Sequence, residues 1–206
     1  MKNNPISRSV KNLQELYTVL IGLSLAYGID KIINLSGDKF PVYLERLPLF
    51  FVYLAFVIPV YHGAMRHLDV SYIEKINNKP LALIFDFIIL FIEGCFFLLL
   101  AGLVQYTYKF TYVLFILLLI DIVWAGIAYY GFTSDKIEKK AVATWGIMNL
   151  ITFALLAVGF LFFSCFDKSK IPVEFYFKIY ALIIIFIRST FDYLLCWKFY
   201  YPRKIR

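Results

Sequence analysis

The chain has 206 residues, of which 62% are apolar, 20% are aromatic and only 17% are charged. Soluble domains are usually about 45–50% apolar and about 25% charged, so this excess does not fit inside one soluble core of this size. The composition also excludes a disordered chain, a collagen-like chain and a disulfide-rich secreted scaffold. The net charge of +7 does not indicate a nucleic-acid partner, because the basic residues lie at the ends of apolar runs. The composition therefore predicts an integral membrane protein.

Six apolar runs reach or approach the length of about 20 residues that a helix needs to cross a bilayer. The runs are continuous rather than alternating, which favours transmembrane helices over the strands of a membrane barrel. We therefore predict an all-α integral membrane protein, a bundle of six transmembrane helices with short loops that forms a single domain over residues 1–206. The predicted spans cover residues 16–35, 47–68, 80–103, 111–130, 141–164 and 175–201.

The Lys and Arg residues that flank the runs predict the orientation. Thirteen of them lie on the side that carries both termini and seven on the opposite side, with Arg188 in neither group. Because cytoplasmic loops carry the excess of Lys and Arg, both termini are expected in the cytoplasm. The expected location is the plasma (inner) membrane. Before the fifth run, Ser134 or Asp135 is expected to cap the start of a helix.

The most informative residues are the ionisable and polar ones within the runs. A charge at the bilayer centre costs about 3 kcal/mol on the insertion scale, so these side chains are expected to face the bundle interior and to be paired. A rise of about 1.5 Å per residue gives their depths. One layer lies near the midplane and contains Glu93, Asp121 and Arg188. A second layer lies in the inner leaflet and contains His62, Arg66, Asp86, Asn149 and Asp192.

Helical spacing places several of these residues on shared faces. Asp86 and Glu93 are seven residues apart, and Arg188 and Asp192 are four apart, so the latter two can form an ion pair. The spacing predicts either a polar cavity that opens toward the cytoplasm or a closed ion-pair network at the same depth.

The two histidines of the chain, His62 and His67, both lie in the second run. His62 belongs to the polar cluster, whereas His67 is expected on another side of the helix, at the level of the lipid headgroups. Two neighbouring histidines do not supply the converging ligands of a metal site or the facing pair of a transmembrane haem site. The three cysteines show no metal-binding spacing. We therefore predict no metal and no other cofactor.

The leading hypothesis is a channel- or transporter-like protein, expected to be a homo-oligomer. Glu93 and Asp121 would bind a small cation or a proton. Arg188 would set their charge or bind an anion, and His62 would give pH dependence in the physiological range. Six spans in about 200 residues are similar in layout to small bacterial potassium channels of the lysosomal-channel type. The Arg…Phe-Ser-Asp signature of those channels is absent, so this resemblance carries over no residue.

Two other hypotheses stay open. A non-transporting membrane subunit or effector would dock a cytoplasmic protein partner, and its polar cluster would only hold helices together. A membrane enzyme would modify lipid at the inner leaflet, with His62, Asp86 and Asp192 as its acid–base set. An enzyme is less favoured, because the chain contains no Ser-His-Asp order, nucleophile elbow, Walker loop or HExxH motif.

Overall fold

A computed structural model describes residues 5–33, 41–74, 80–133, 135–165 and 173–202. Within these ranges the chain is helical almost throughout, which confirms the all-α prediction. The helices are α1 (Pro5–Ile32), α2 (Leu47–Leu68), α3 (Pro80–Gly102), α4 (Thr107–Ile127), α5 (Lys136–Ser164), α6 (Val173–Leu195) and α7 (Trp197–Tyr200). A 3₁₀ turn (Leu44–Arg46) precedes α2, and π-helical turns extend α2 over Asp69–Glu74 and α4 over Ala128–Phe132.

Among the described residues, four helical segments are long and apolar enough to cross a membrane. They correspond to the second, third, fourth and fifth predicted spans and cover Leu44–Glu74, Pro80–Gly102, Thr107–Phe132 and Lys136–Ser164. These four segments indicate an integral membrane protein. Helices α1 and α6, with 28 and 23 residues, lie outside this set. Their insertion into the membrane is therefore a proposal.

The exterior of the described structure is apolar, and polar and charged side chains are buried beside its apolar core. Leu81, Leu161 and Phe186 expose 78%, 66% and 63% of their surface. The side chains buried to 6% exposure or less include Asp86, Glu93, Asp121, Arg188 and Asp192. A protein folded in water rarely exposes so many large apolar side chains while it buries several charged ones. Contact of the outer surface with lipid explains the pattern, because lipid tails are as apolar as these side chains and no hydrophobic effect drives them into the interior.

The order of the helices in space differs from their order along the chain. Helix α1 packs against α3, α3 against α4, α4 against α5, α5 against α6, α6 against α2, and α2 against α1. This sequence of neighbours closes a ring, and α2 also contacts α3. Polar faces of the helices therefore meet in a common interior.

The start of α5 agrees with the sequence prediction. Asp135 is the capping residue, and its Oδ2 atom accepts a hydrogen bond of 3.1 Å from the backbone N–H of Glu138. Ser134, the alternative cap, lies outside the described residues. The bond satisfies one of the free N–H groups at the helix start and sets where the helix begins.

The last predicted span, 175–201, is wrong as a single helix. Helix α6 ends at Leu195, the chain bends at Cys196, and α7 forms one short turn over Trp197–Tyr200. The bend brings Phe199 and Tyr200 back against Trp145 of α5. Buried contact of these aromatic rings explains why the continuous apolar run does not continue as one helix.

Candidate functional site

A cavity with ionisable side chains in its wall lies between α2, α3, α4, α5 and α6. The space open to the centres of water molecules is about 40 Å³, which is enough for a few of them. Six ionisable side chains line it: His67, Asp86, Glu93, Asp121, Arg188 and Asp192. Five of the six were expected from the sequence. Asn149, also expected, lies in the wall as well.

Arg188 reaches Asp121 through an amide and not through a direct ion pair. Its Nε and Nη2 atoms donate to Asn149 Oδ1 at 3.2 and 2.9 Å. Asn149 Nδ2 in turn donates to Asp121 Oδ2 at 3.2 Å. Arg188 Nη1 lies 4.0 Å from Asp192 Oδ2, as the spacing of four residues predicted. The guanidinium group also lies over the ring of Phe56, 5.3 Å from its centroid.

Glu93 and Asp121 lie within hydrogen-bonding reach of each other. The Tyr17 hydroxyl of α1 donates to Glu93 Oε2 at 3.1 Å. Helix α1, which does not line the cavity, is thereby hydrogen-bonded to a residue of the cavity wall. Among the described residues, the buried side-chain atoms without a hydrogen-bond partner are Asp121 Oδ1 and Arg188 Nη1. Both belong to residues of the cavity wall, so the wall contains one hydrogen-bond acceptor and one donor group without a partner in the protein.

Asp192 is held by aromatic donors. Trp145 Nε1 donates to its Oδ1 atom at 2.8 Å, and the Tyr200 hydroxyl lies 3.1 Å from both carboxylate oxygens. Tyr200 belongs to α7, so the bend after α6 is what brings this donor to the carboxylate. Asp192 thus joins α5, α6 and α7 at one end of the cavity.

His67 is the centre of a second polar cluster, and the expectation that it lies away from the polar residues is wrong. Its Nε2 atom lies 3.2 Å from Asp86 Oδ2, and its Nδ1 atom lies 2.9 Å from Glu138 Oε1. The side chain is 4% exposed. A neutral imidazole has a single N–H, so two carboxylate partners require one more proton, on the ring or on a carboxyl group.

The π-helical turn after α2 completes this second cluster. It carries Ser71, whose hydroxyl donates to Glu138, and Tyr72, whose hydroxyl donates to Asp86 Oδ2 at 2.7 Å. Trp124 Nε1 of α4 donates to Asp86 Oδ1 at 3.0 Å. Turns of this kind occur often at functional sites, because the wider backbone turn redirects side chains.

Two residues expected in the site, His62 and Arg66, are not part of the cavity wall. His62 Nδ1 lies 3.3 Å from the Tyr193 hydroxyl, and its ring stacks on Tyr200 at 4.6 Å between centroids. Arg66 binds Glu74 with distances of 2.5 and 3.3 Å. The acid–base set considered for a lipid-modifying enzyme is thus divided, with its carboxylates in the cavity wall and its histidine outside it.

Sequence reasoning missed His67, Glu138, Tyr17, Tyr72 and Trp124 as members of the network. Helical spacing contained a signal for two of them. Glu138 precedes Trp145 by seven residues and Asn149 by eleven, so the three share a face of α5. His67 follows Gly63 by four residues on the buried face of α2. The hydroxyl and indole donors carry no comparable signal, because aromatic residues are common throughout this chain.

The described residues contain no group of three or more His, Cys, Asp or Glu side chains arranged to hold a metal ion. Comparisons with known proteins add no relative: no family model matches the chain, and no curated protein or solved structure matches it either.

Proposed function

We propose that this protein is a channel- or transporter-like membrane protein whose cavity binds and moves a small cation or a proton. The supporting observation is that four carboxyl groups and two basic side chains line one buried cavity. The carboxyl groups belong to Asp86, Glu93, Asp121 and Asp192, and the basic groups to His67 and Arg188.

The charge imbalance argues for a positively charged ligand. With both basic groups charged, two carboxylates of the wall have no cationic counterpart, and Glu138 adds a third behind His67. Each isolated ion in a low-dielectric interior costs several kcal/mol (about 3 or more) unless its charge is compensated. Protons or cations entering the cavity supply that compensation.

The proposal includes six membrane spans, with α1 and α6 crossing the membrane beside the four apolar helices. The charged residues of α6 within the bundle, Arg188 and Asp192, face inward, whereas Phe186 and Leu194 expose 63% and 66% of their surface outward. Helix α1 exposes Val19 and Leu23 at 57% and 56%. These apolar outer faces suit lipid.

The excess of Lys and Arg supports placing both termini in the cytoplasm and the protein in the plasma membrane. The end of the cavity that contains His67 then faces the cytoplasm. A homo-oligomer stays a prediction, which the mass of the purified protein in detergent would test.

The test is ion flux into liposomes that contain the purified protein, measured between about pH 5 and pH 8, where histidine titrates. Glu93→Gln and Asp121→Asn are expected to abolish flux while the protein stays folded. Glu74→Gln is the matched control, because Glu74 lies outside the cavity wall and binds Arg66. It is expected to conduct like the parent.

Absence of flux from the parent protein at every pH would overturn the proposal. In that case the network would serve to hold helices together, and the hypothesis of a subunit that docks a cytoplasmic partner would replace it. Co-purification of a soluble protein in constant ratio would support that replacement.

A further inference from the structure

Two acidic side chains, Glu93 of α3 and Asp121 of α4, are neighbours in the cavity wall. They lie within hydrogen-bonding reach of each other and are 4% and 6% exposed. Two ionised carboxylates have only acceptor atoms, so they repel each other and cannot form a hydrogen bond. A hydrogen bond between them therefore requires a proton on one of the two carboxyl groups.

The other partners of the pair leave one position for that proton. Glu93 Oε2 accepts from the Tyr17 hydroxyl, and Asp121 Oδ2 accepts from the Asn149 amide. Asp121 Oδ1 is buried and accepts no hydrogen bond from a nitrogen or hydroxyl donor of the described residues. A protonated Glu93 would supply the missing donor.

The charged and titratable groups around the pair come from every long helix. They are Tyr17 of α1, His67 of α2, Asp86 of α3, Glu138 of α5, and Arg188 and Asp192 of α6. Neither basic group is bonded to the pair directly. Arg188 reaches Asp121 only through Asn149, and His67 is engaged by Asp86 and Glu138. The two carboxyl groups therefore have no direct ion-pair partner among the described residues.

The cavity favours a proton over a metal cation. No group of three metal ligands exists among the described residues, and the open space of about 40 Å³ accommodates only a few water molecules. The donors around the carboxyl groups are hydroxyl, indole and amide groups, which form hydrogen bonds to a carboxylic acid or its anion alike.

We propose that Glu93 and Asp121 share one proton, and that this proton is the ligand that the cavity binds and releases. The inference rests on the proposed function and specifies its cargo. Uptake transfers one proton from water in the cavity to a carboxylate oxygen of the pair. Release returns it to water and leaves two carboxylates, so charge and atoms balance in both directions.

The test is infrared spectroscopy of the whole protein in lipid nanodiscs as the pH is varied. The parent is expected to show the C=O stretching band of a buried carboxylic acid, which moves when H₂O is replaced by D₂O. The band is expected to disappear in Asp121→Asn, because the new amide can donate to Glu93 and removes the need for a proton. It should persist in Glu74→Gln.

The double variant Glu93→Gln/Asp121→Asn shows whether loss of the band reflects loss of the proton or a folding defect. Two amides can form the hydrogen bond without any shared proton, so this variant is expected to fold and to lack the band. A parent without the band, or a band unchanged in Asp121→Asn and in the double variant, would overturn the shared proton.

Liposome measurements separate this inference from the function on which it rests. A pH-sensitive dye inside the vesicles reports proton movement, and parallel gradients of Na⁺ and K⁺ report metal cations. Proton flux that depends on Glu93 supports the inference. Flux of metal cations without protons overturns the inference but leaves the channel proposal intact. The band without any flux supports the shared proton and overturns transport.

Discussion

Asn149 accepts two hydrogen bonds from Arg188, of 3.2 Å from Nε and 2.9 Å from Nη2. The opposite end of the same carboxamide donates to Asp121 at 3.2 Å. A carboxamide has an acceptor at one end and donors at the other, so it can join a cation to a carboxyl group without adding charge. Asn149 therefore connects α4 and α6 through α5 and fixes the orientation of the guanidinium group in the cavity wall.

Replacing this amide tests its role directly. Asn149→Leu keeps the approximate volume but removes the acceptor of both Arg188 bonds and leaves the guanidinium group buried without that partner. A hydrogen bond to a charged group is worth about 1.5–3 kcal/mol, so we expect the free energy of unfolding to fall by about 2–4 kcal/mol. Thermal unfolding in detergent is the measurement. Thr190→Val is the control, because Thr190 is exposed on α6 and bonds to the Phe186 carbonyl of its own helix. An equal loss in both variants would contradict the prediction.

The two histidines provide a matched pair. His67→Phe removes the contacts of both ring nitrogens with Asp86 and Glu138, which then lose a shared partner in a buried site. His62→Phe makes the same chemical change five residues away, where the ring can still stack on Tyr200. We expect His67→Phe to lower stability by about 2–4 kcal/mol, since a buried charged network loses its centre. His62→Phe should cost clearly less. If His67→Phe melts no lower than His62→Phe, the prediction that the cluster around His67 contributes the larger stability is contradicted.

The aromatic donors to Asp192 form a unit that a double-mutant cycle can measure. Tyr200→Phe removes the hydroxyl that lies 3.1 Å from both oxygens, and Trp145→Phe removes the indole donor at 2.8 Å. Each change is expected to cost about 1–3 kcal/mol, and the two together should differ from the sum because they share one carboxylate. Tyr201→Phe is the control, with a ring that is 47% exposed and packs on Trp197. Additive losses, or a comparable loss in Tyr201→Phe, would argue against a shared site.

The contact between α5 and α6 depends on the absence of a side chain at Gly159. A Cβ atom there would overlap the ring of Tyr180, whose hydroxyl donates to the Leu155 carbonyl at 2.7 Å. Gly159→Ala should therefore destabilise the protein by about 1–3 kcal/mol through overpacking. Gly126→Ala in α4 is the control, since no described atom lies within 4 Å of the position of its Cβ. We expect it to be neutral or slightly stabilising, because Ala favours a helix over Gly. Melting temperatures measured in the same detergent compare the two, and a stable Gly159→Ala variant would contradict the packing argument.

Much of the helical architecture could be predicted, because the apolar run that indicates a membrane-spanning helix lies within one continuous stretch of sequence. The length and continuity of the apolar runs predicted helices, and the helices of the structure lie over all six runs. The cost of burying charge also identified Glu93, Asp121, Asn149, Arg188 and Asp192 as residues of the interior, where they are found. The break after Leu195 could not be predicted in this way, since the bend depends on contacts of Phe199 and Tyr200 with α5.

Membership of the cavity was decided only by the tertiary structure. Residue spacing relates the faces of one helix to each other, but it does not give the rotation of that helix about its axis or identify its neighbours. For this reason the sequence favoured His62, whereas the packing of α2 turns His67 toward Asp86 and Glu138. The composition of the chain determined that polar groups must be buried together, because lipid cannot solvate them. The order of the helices around the ring decided which of those groups meet, because hydrogen bonds act only between atoms that packing brings within about 3 Å.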